Sequence, residues 1–385
     1  MRTPLQEEFL SIIRYEIAGT PLPDGFFVSD EEALIRLSDL QDLTHLVYDA
    51  LTKNGIACGS KKAAGQYFAA LWRVEQMDYE LGRMSKLFEE NGIDYVPLKG
   101  SVMRDLYPER WMRTSADIDI LLRPEQEETA EALLMSRLGY EQDFENAYVH
   151  HASFFSPENH VHIEPHRMLF HETHTDRYED VFRNIWERAL PDPDGTKHRY
   201  ILSDADVYSY HLAHMEKHFH QAGGCSVRGL IDLWLMENKP GADIEGRNNR
   251  LKECRISTFE EKMCRLINSW MKALPAENED LEQFILEGYL YGNPLRGAEL
   301  STVKHGKMDY IIKRAFLPRS QMETLFPILK THPLLLPSMW PVRWIKRISD
   351  KNRRTRIRSQ IKGSVGASEA TLDRMRNIFE YLGIN

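Results

Sequence analysis

VPLKGSVMRDLYPERWMRTSADIDILL, Val96–Leu122, opens on an apolar strand that stops at Lys-Gly-Ser and closes on two aspartates one residue apart in an apolar run. Residues two apart on a strand project to the same side, so Asp117 and Asp119 point together while Ile118 and Ile120 face a core. Two carboxylates held side by side repel. A divalent cation relieves that repulsion, and an all-oxygen ligand set suits Mg²⁺, which takes one or two carboxylates and completes its shell with phosphates and water. The turn Lys99-Gly100-Ser101 reads as the start of a helix with Ser101 as its N-cap. Backbone N–H groups there would receive a phosphate, and glycine would allow it to approach closely.

Working outward toward the C-terminus, Pro124 opens an amphipathic helix over EQEETAEALLMSRLGY, and AYVHHASFF and HVHIEPH flank the turn SPEN as a hairpin. In the second arm Val161 and Ile163 take one face and His162, Glu164 and His166 the other. Glu164 is therefore a third acid able to join the aspartate pair, and His166 is its rival as a base. Toward the N-terminus only helical patterns occur: LQEEFLSIIRYEI, DEEALIRLSDLQDLTHLVYDALTKNG and AGQYFAALWRVEQMDYELGRMSKLFEENG. In the last of these Met77, Leu81, Met84 and Phe88 share one stripe, which is expected to pack on the strands, and Gly92 stops the helix. Beyond the turn-rich PDPDGTKH the chain returns to helices, one of them opened by Ser203 and Asp206 at capping-box spacing. The expected organisation is an N-terminal helical region (1–90), an α+β core with a small mixed sheet (91–199) and a C-terminal helical domain (200–385).

At 385 residues the chain has material for more than one core, and 42% hydrophobic with 28% charged residues is ordinary globular usage that excludes global disorder. A net charge of −9 argues against a protein that coats nucleic acid with its whole surface. The start carries acidic residues and lacks a signal-peptide core, and no apolar run reaches a membrane span, so a cytoplasmic protein is expected. Cys58, Cys225, Cys254 and Cys264 show no CxxC spacing and read as packing thiols.

With these residues in place, the segment resembles the nucleotidyltransferase superfamily of DNA polymerase beta: an apolar residue, Gly, then Gly or Ser, a helix, and acid-apolar-acid-apolar, here Leu98–Ser101 and Asp117–Ile120. Within it the chain looks most like a bacterial family of uncharacterised nucleotidyltransferases in which LKG, YP, an Arg and DIDILL follow one another; Lys99, Tyr107, Pro108 and Arg113 match. The likeness extends to IEPH and to YHLAHMEKHF...VRGLIDLWL. It implies a polymerase-beta-like palm, two Mg²⁺ ions with Mn²⁺ as the alternative, Asp117 and Asp119 as shared metal ligands, and Glu164 as the third acid, which activates the acceptor.

His211, His214 and His218 gather on one helical face with Lys217 beside them. A zinc-hydrolase reading of His214 and His218 is disfavoured by the position of Glu216, which is not adjacent to the first histidine as HExxH requires. The two open readings are histidines bonded to neighbours, or a face on which His214, Lys217 and His218 reach phosphate or acceptor, with Arg228 and Asp232 buttressing the following helix. Residues 343–362 hold nine basic side chains, Arg343, Lys346, Arg347, Lys351, Arg353, Arg354, Arg356, Arg358 and Lys362, against the single acid Asp350. They form a solvated face or a patch for RNA, anionic lipid or an acidic protein. The expected activity is Mg²⁺-dependent transfer of NMP from an NTP to a hydroxyl acceptor, with Lys99, Gly100, Ser101 and Arg113 holding the triphosphate. A small molecule or a peptide or protein is favoured as acceptor over an RNA end. The alternative is a catalytically weak nucleotide-binding or partner-binding regulator.

Overall fold

A computed structural model describes residues 2–143, 152–170, 176–194, 196–222, 224–288, 312, 315–349 and 369–384. Helix α1 (Pro4–Ala18) starts with a reciprocal cap: Gln6 N donates to Thr3 Oγ1 at 3.2 Å and Thr3 N donates to Gln6 Oε1 at 2.9 Å. The next helical pattern, which reads as one run, is two helices, α2 (Glu31–Leu40) and α3 (Thr44–Lys53). The break falls where Asp42 takes a left-handed φ of 56°, a conformation that Asp tolerates better than most residues. Helix α4 (Lys61–Asn91) ends at Gly92, whose φ of 70° supplies the left-handed stop. Its stripe behaves as expected: Met77, Met84 and Phe88 are buried, with Leu81 at their edge, against Ile118, Ile120 and Leu122.

The α+β core follows as β1 (Tyr95–Pro97), the short α5 (Gly100–Met103), β2 (Asp117–Leu122), α6 (Glu127–Leu138), β3 (Glu141–Gln142), β4 (Phe154–Phe155) and β5 (His162–His166). The sheet order is β1-β2-β5-β4-β3; β2 and β5 run parallel and the other neighbours antiparallel, so the sheet is mixed. The hairpin is present, with Phe154 opposite Ile163 and Phe155 opposite His162, while residues 147–151 of its first arm lie outside the described residues. One expectation is corrected here. Ser101 is not an N-cap but lies inside the first turn of α5, because Lys99 O already accepts from Val102 N and Met103 N.

Helices α7 (Asp176–Phe182) and α8 (Ile185–Arg188) and a short ribbon, β6 (Leu190–Pro191) with β7 (Tyr200–Ile201), complete this part. Helix α9 (Asp204–Ala222) opens with the expected side-chain exchange, Asp206 N donating to Ser203 Oγ and Ser203 Oγ to Asp206 Oδ2. It is followed by α10 (Val227–Glu237), α11 (Ile244–Cys254), α12 (Ser257–Met271) and α13 (Glu279–Leu286). Further helices are Arg319–Leu325, Leu336–Ser349 and Glu369–Leu382. Two apolar clusters result. One joins α4 and α6 to one face of the sheet, and the other runs from Phe9 and Leu46 through Leu212, Leu230 and Trp270 to Leu382. Helices from the two ends of the sequence thus share a core, and the sheet carries the face opposite α4 toward α9.

Candidate active site

The parallel register of β2 with β5 sets Asp117 beside His162, Asp119 beside Glu164 and Leu121 beside His166. Paired positions on neighbouring strands project to the same side, which brings the acids of the two strands together. Asp119 lies at the centre, 3% exposed, accepting from Lys99 Nζ and from His166 Nε2, each at 2.7 Å. One donor atom each of Asp119, Glu164 and His166 fall within 4.8 Å of one another, so these three could hold a metal ion. Asp117 stands outside that group of three but shares its field.

The electrostatics show a site with more acid than its cations neutralise. Burial and the Asp119 anion push the Asp117 carboxyl up to about 6. Burial, then Asp119 and Asp117, push Glu164 up to about 9. Burial alone would raise Asp119 as well, yet the Lys99 ammonium and His166 hold it well below the usual carboxylate range. The partner effect is mutual: burial would depress Lys99, but Asp119 keeps it charged far above the ordinary lysine range. Burial lowers His166, so its imidazole is neutral and donates from Nε2.

Helix α9 presents Tyr210, His214 and Lys217 at i, i+4 and i+7, one stripe. Each feels the site. Burial raises Tyr210 to about 12 against the pull of Lys99, and burial with His218 and Lys99 drives His214 well below its usual value. Burial and the Lys99 charge bring Lys217 down to about 8, and burial with Lys217 brings His218 down to about 3. The His214 and His218 rings meet edge to face at 4.5 Å between centroids. His211 has a packing task, hydrogen-bonding Gly229 O of α10 at 2.9 Å. Among the described residues, neither cluster able to hold a metal includes His214 or His218.

The glycine turn is built tightly. A Cβ on Gly100 would come within 2.9 Å of the Ser115 side chain. Arg104 fixes both partners, donating from Nε to Gly100 O at 3.1 Å and from Nη2 to Ser115 Oγ at 3.0 Å, with Asp78 Oδ1 at 3.2 Å as its counterion. Ser101 Oγ is buried beside this turn without a hydrogen-bond partner. Lys99 itself takes a positive φ of 43°, a backbone strain that places its ammonium on Asp119.

Arg113, expected at the triphosphate, pairs with an acid of the helical part. Its Nε and Nη2 grip Asp232 of α10 at 2.9 Å each, its Nη1 donates to Thr114 O at 2.6 Å, and Tyr107 Oη donates to the same Asp232 at 2.7 Å. Asp232 and Arg228 do buttress α10, the latter through Asp42 at 2.7 Å. The matched Tyr and Arg of the sequence pattern thus form a clamp between the palm and the helices. Sequence reading missed Arg104, Ser115 and Tyr210. Only Tyr210 left a local signal, its helical spacing to His214 and Lys217.

A family model described as an uncharacterised nucleotidyltransferase matches residues 28–272, from just before α2 to the end of α12. The chain belongs to this nucleotidyltransferase family. The match contains every candidate site residue above, and the basic residues 343–362 lie beyond it. Of that segment, 350–362 lie outside the described residues. No curated protein and no solved structure gives a significant match to this nucleotidyltransferase. None of its described helices is long and apolar enough to cross a membrane.

Proposed function

We propose that the chain transfers a nucleoside monophosphate from an NTP to a hydroxyl acceptor, with release of pyrophosphate, in a reaction that needs Mg²⁺ or Mn²⁺. The observation that supports this reading is the register of Asp119 with Glu164, which gathers two acids and His166 beside Asp117 in a chain of this family. The donor set fits a divalent cation. Asp117 and Glu164 are both raised, first by burial and then by neighbouring anions, and carboxylate oxygens are the ligands such an ion takes. Asp117, Asp119 and Glu164 would hold it, and when bound it supplies charge neutralisation and polarisation of the phosphoryl oxygens.

The residues of the chain divide the remaining work. Glu164, the most raised of the acids, would lose its own proton once Asp119 and Asp117 are offset by a bound cation, and then takes the proton of the acceptor hydroxyl as the new oxygen–phosphorus bond forms at the α-phosphate and the bond to the β-phosphate oxygen breaks. His166 orients Asp119 through its Nε2–H. Lys99, and Lys217 on the facing helix, compensate the charge of the triphosphate and of the departing pyrophosphate, with the neutral His214 and His218 beside Lys217 as hydrogen-bonding groups. The turn at Gly100 and Ser101 receives a phosphate, with the buried Ser101 hydroxyl as an available partner. The three acids argue against the alternative of a regulator that merely binds nucleotide, since a binding module gains nothing from mutually repelling carboxylates. A small molecule, peptide or protein remains the favoured acceptor given the acidic chain, and an RNA end engaged through 343–362 is the other.

The test is incubation of the purified chain with Mg²⁺, each α-labelled NTP and cell extract, with Asp119→Asn as control. Label transferred by the parent and not by the variant supports the reading. Absence of both transfer and Mg²⁺-dependent NTP binding, for all four nucleotides, would remove it.

A further inference from the structure

A surface helix needs one apolar stripe, and α4 has two. Its inner stripe is the Met77, Met84 and Phe88 face against the sheet. On the opposite side the exposed positions Gly65, Phe68, Trp72, Glu75, Tyr79 and Gly82 follow one another at alternating steps of three and four. That is the spacing by which a helix presents a seam to another helix. The seam is aromatic: Phe68 is 62% exposed, Trp72 67% and Tyr79 61%. Aromatic rings in such a line are costly to leave in water and mark an interaction surface.

The order of the side chains along this seam selects the partner. When a second α4 is laid antiparallel about a two-fold axis between Glu75 and Gln76, each position i meets 151 − i. Trp72 then faces the partner's Tyr79, and Tyr79 the partner's Trp72. Phe68 faces the partner's Arg83, whose guanidinium already lies 5.6 Å from the Tyr79 ring centroid, within cation–π range. Gly65 leaves room for the stem of the partner's Lys86. Lys61 meets the partner's Glu90, and the Glu75 carboxylate the partner's Gln76 amide, while Lys62 and Glu89 keep partners within the chain, Asp39 and the backbone N–H groups of Lys197 and His198. Each of the three seam aromatics meets a ring or a cation, and the end lysine Lys61 meets an acid. Self-complementarity of this kind is what an isologous two-fold contact requires. The helix is long enough to offer it, since 31 residues extend about 46 Å.

We infer that the outer face of α4 is a homodimer interface, with a second copy of this chain as its occupant and Trp72 and Tyr79 as its anchors. The full chain in sedimentation velocity should run at twice the mass of one chain, with dissociation only on dilution. Trp72→Glu with Tyr79→Glu should weaken association about 100-fold or more, with far-UV circular dichroism and melting unchanged because both rings are exposed. Lys61→Glu should weaken it, and adding Glu90→Lys should restore it. In a Cys58→Ser background, Glu75→Cys near the axis should give a disulfide-linked dimer on mild oxidation, and Phe27→Cys, exposed elsewhere, should not. A parent chain that stays monomeric at about 100 µM overturns the inference. So does a dimer that survives the Trp72 and Tyr79 substitutions.

Discussion

Replacing Asp232 with Asn isolates what the clamp between palm and helices is worth. The Asp232 carboxylate is 1% exposed and accepts from Arg113 Nε, Arg113 Nη2 and Tyr107 Oη within 2.7–2.9 Å. The amide keeps the shape, removes the charge and turns an N–H₂ toward a guanidinium. Breaking a buried pair from one side costs about 3–5 kcal/mol, because the remaining charge has no counterion. Tyr107→Phe removes one hydrogen bond to a charged acceptor and leaves the pair intact, so it should cost about 2 kcal/mol. Urea unfolding measures both. The pH dependence has a definite sign. Burial would raise Asp232, but Arg113 holds it below its ordinary 3.8, so its contribution is complete above about that pH and is lost as pH falls through the depressed value. Asp232→Asn should therefore flatten the acid limb of the stability curve. NTP affinity, measured on folded protein, should be unchanged. If Asp232→Asn unfolds within 1 kcal/mol of the parent, or if NTP binding fails while stability holds, Arg113 is a phosphate ligand after all and the clamp is incidental.

Glu16 is the opposite case: burial and the Asp49 anion raise it to about 8 from 4.5, so its contribution to stability is complete below about 4.5 and fades as pH rises toward 8. Glu16→Gln should level urea midpoints across that interval, and a parent-like slope would exclude the assignment. Asp117→Asn and Asp119→Asn should each lower transfer by about 100-fold or more with the fold retained, as judged by rate and melting together. Glu164→Gln should slow turnover while Mg²⁺-NTP binding stays within about tenfold; turnover lost in His166→Ala but kept in Glu164→Gln would make His166 the base. Gly100→Ala should destabilise through the 2.9 Å approach to Ser115, and Ser115→Gly should relieve it. NTP binding that remains weak in the rescued double variant would tie the bare turn to phosphate, and full recovery would make the glycine purely structural.

Local pattern carried much of this architecture in the sequence. Asp117 and Asp119 lie on a strand with the bounds of DIDILL, the Met77, Met84 and Phe88 stripe packs where its spacing points, and Ser203 opens α9. Period and capping are properties of neighbours in the chain, so they can be read there. The pairing of Arg113 with Asp232 left no trace in the sequence because the two are 119 residues apart, and an arginine near a glycine turn reads as a phosphate ligand until that carboxylate is in view. Arg104 gave no signal for the same reason; its partners Asp78 and Ser115 lie 26 and 11 residues off. His166 could be put on the face of Glu164, but its bond to Asp119 depends on a parallel register that no local rule dictates. The division of 30–55 into two helices rests on Asp42, whose left-handed turn allows the neighbouring Gln41 amide to reach the carbonyls of Ile285, Leu286 and Gly288.

Those Gln41 bonds belong to a wider seam between the first helices and the last. Arg2 pairs with Glu282, Gln6 with Gln283, and Arg14 donates to Trp270 O, while Val227 N donates to Gln41 Oε1. On the ribosome this inverts the usual order of completion. Helices α1 to α3 emerge first and pack on one another and on α4, yet the side of α1 that meets α12 has no permanent cover until that helix follows, more than 200 residues later, so it must wait exposed or be shielded in the meantime. The five-stranded sheet, whose strands all fall between Tyr95 and His166, is finished in the interval. Synthesis therefore delivers a nearly formed palm on an unfinished support. The Tyr107–Arg113–Asp232 clamp, whose last member arrives with α10, is among the contacts that join the two.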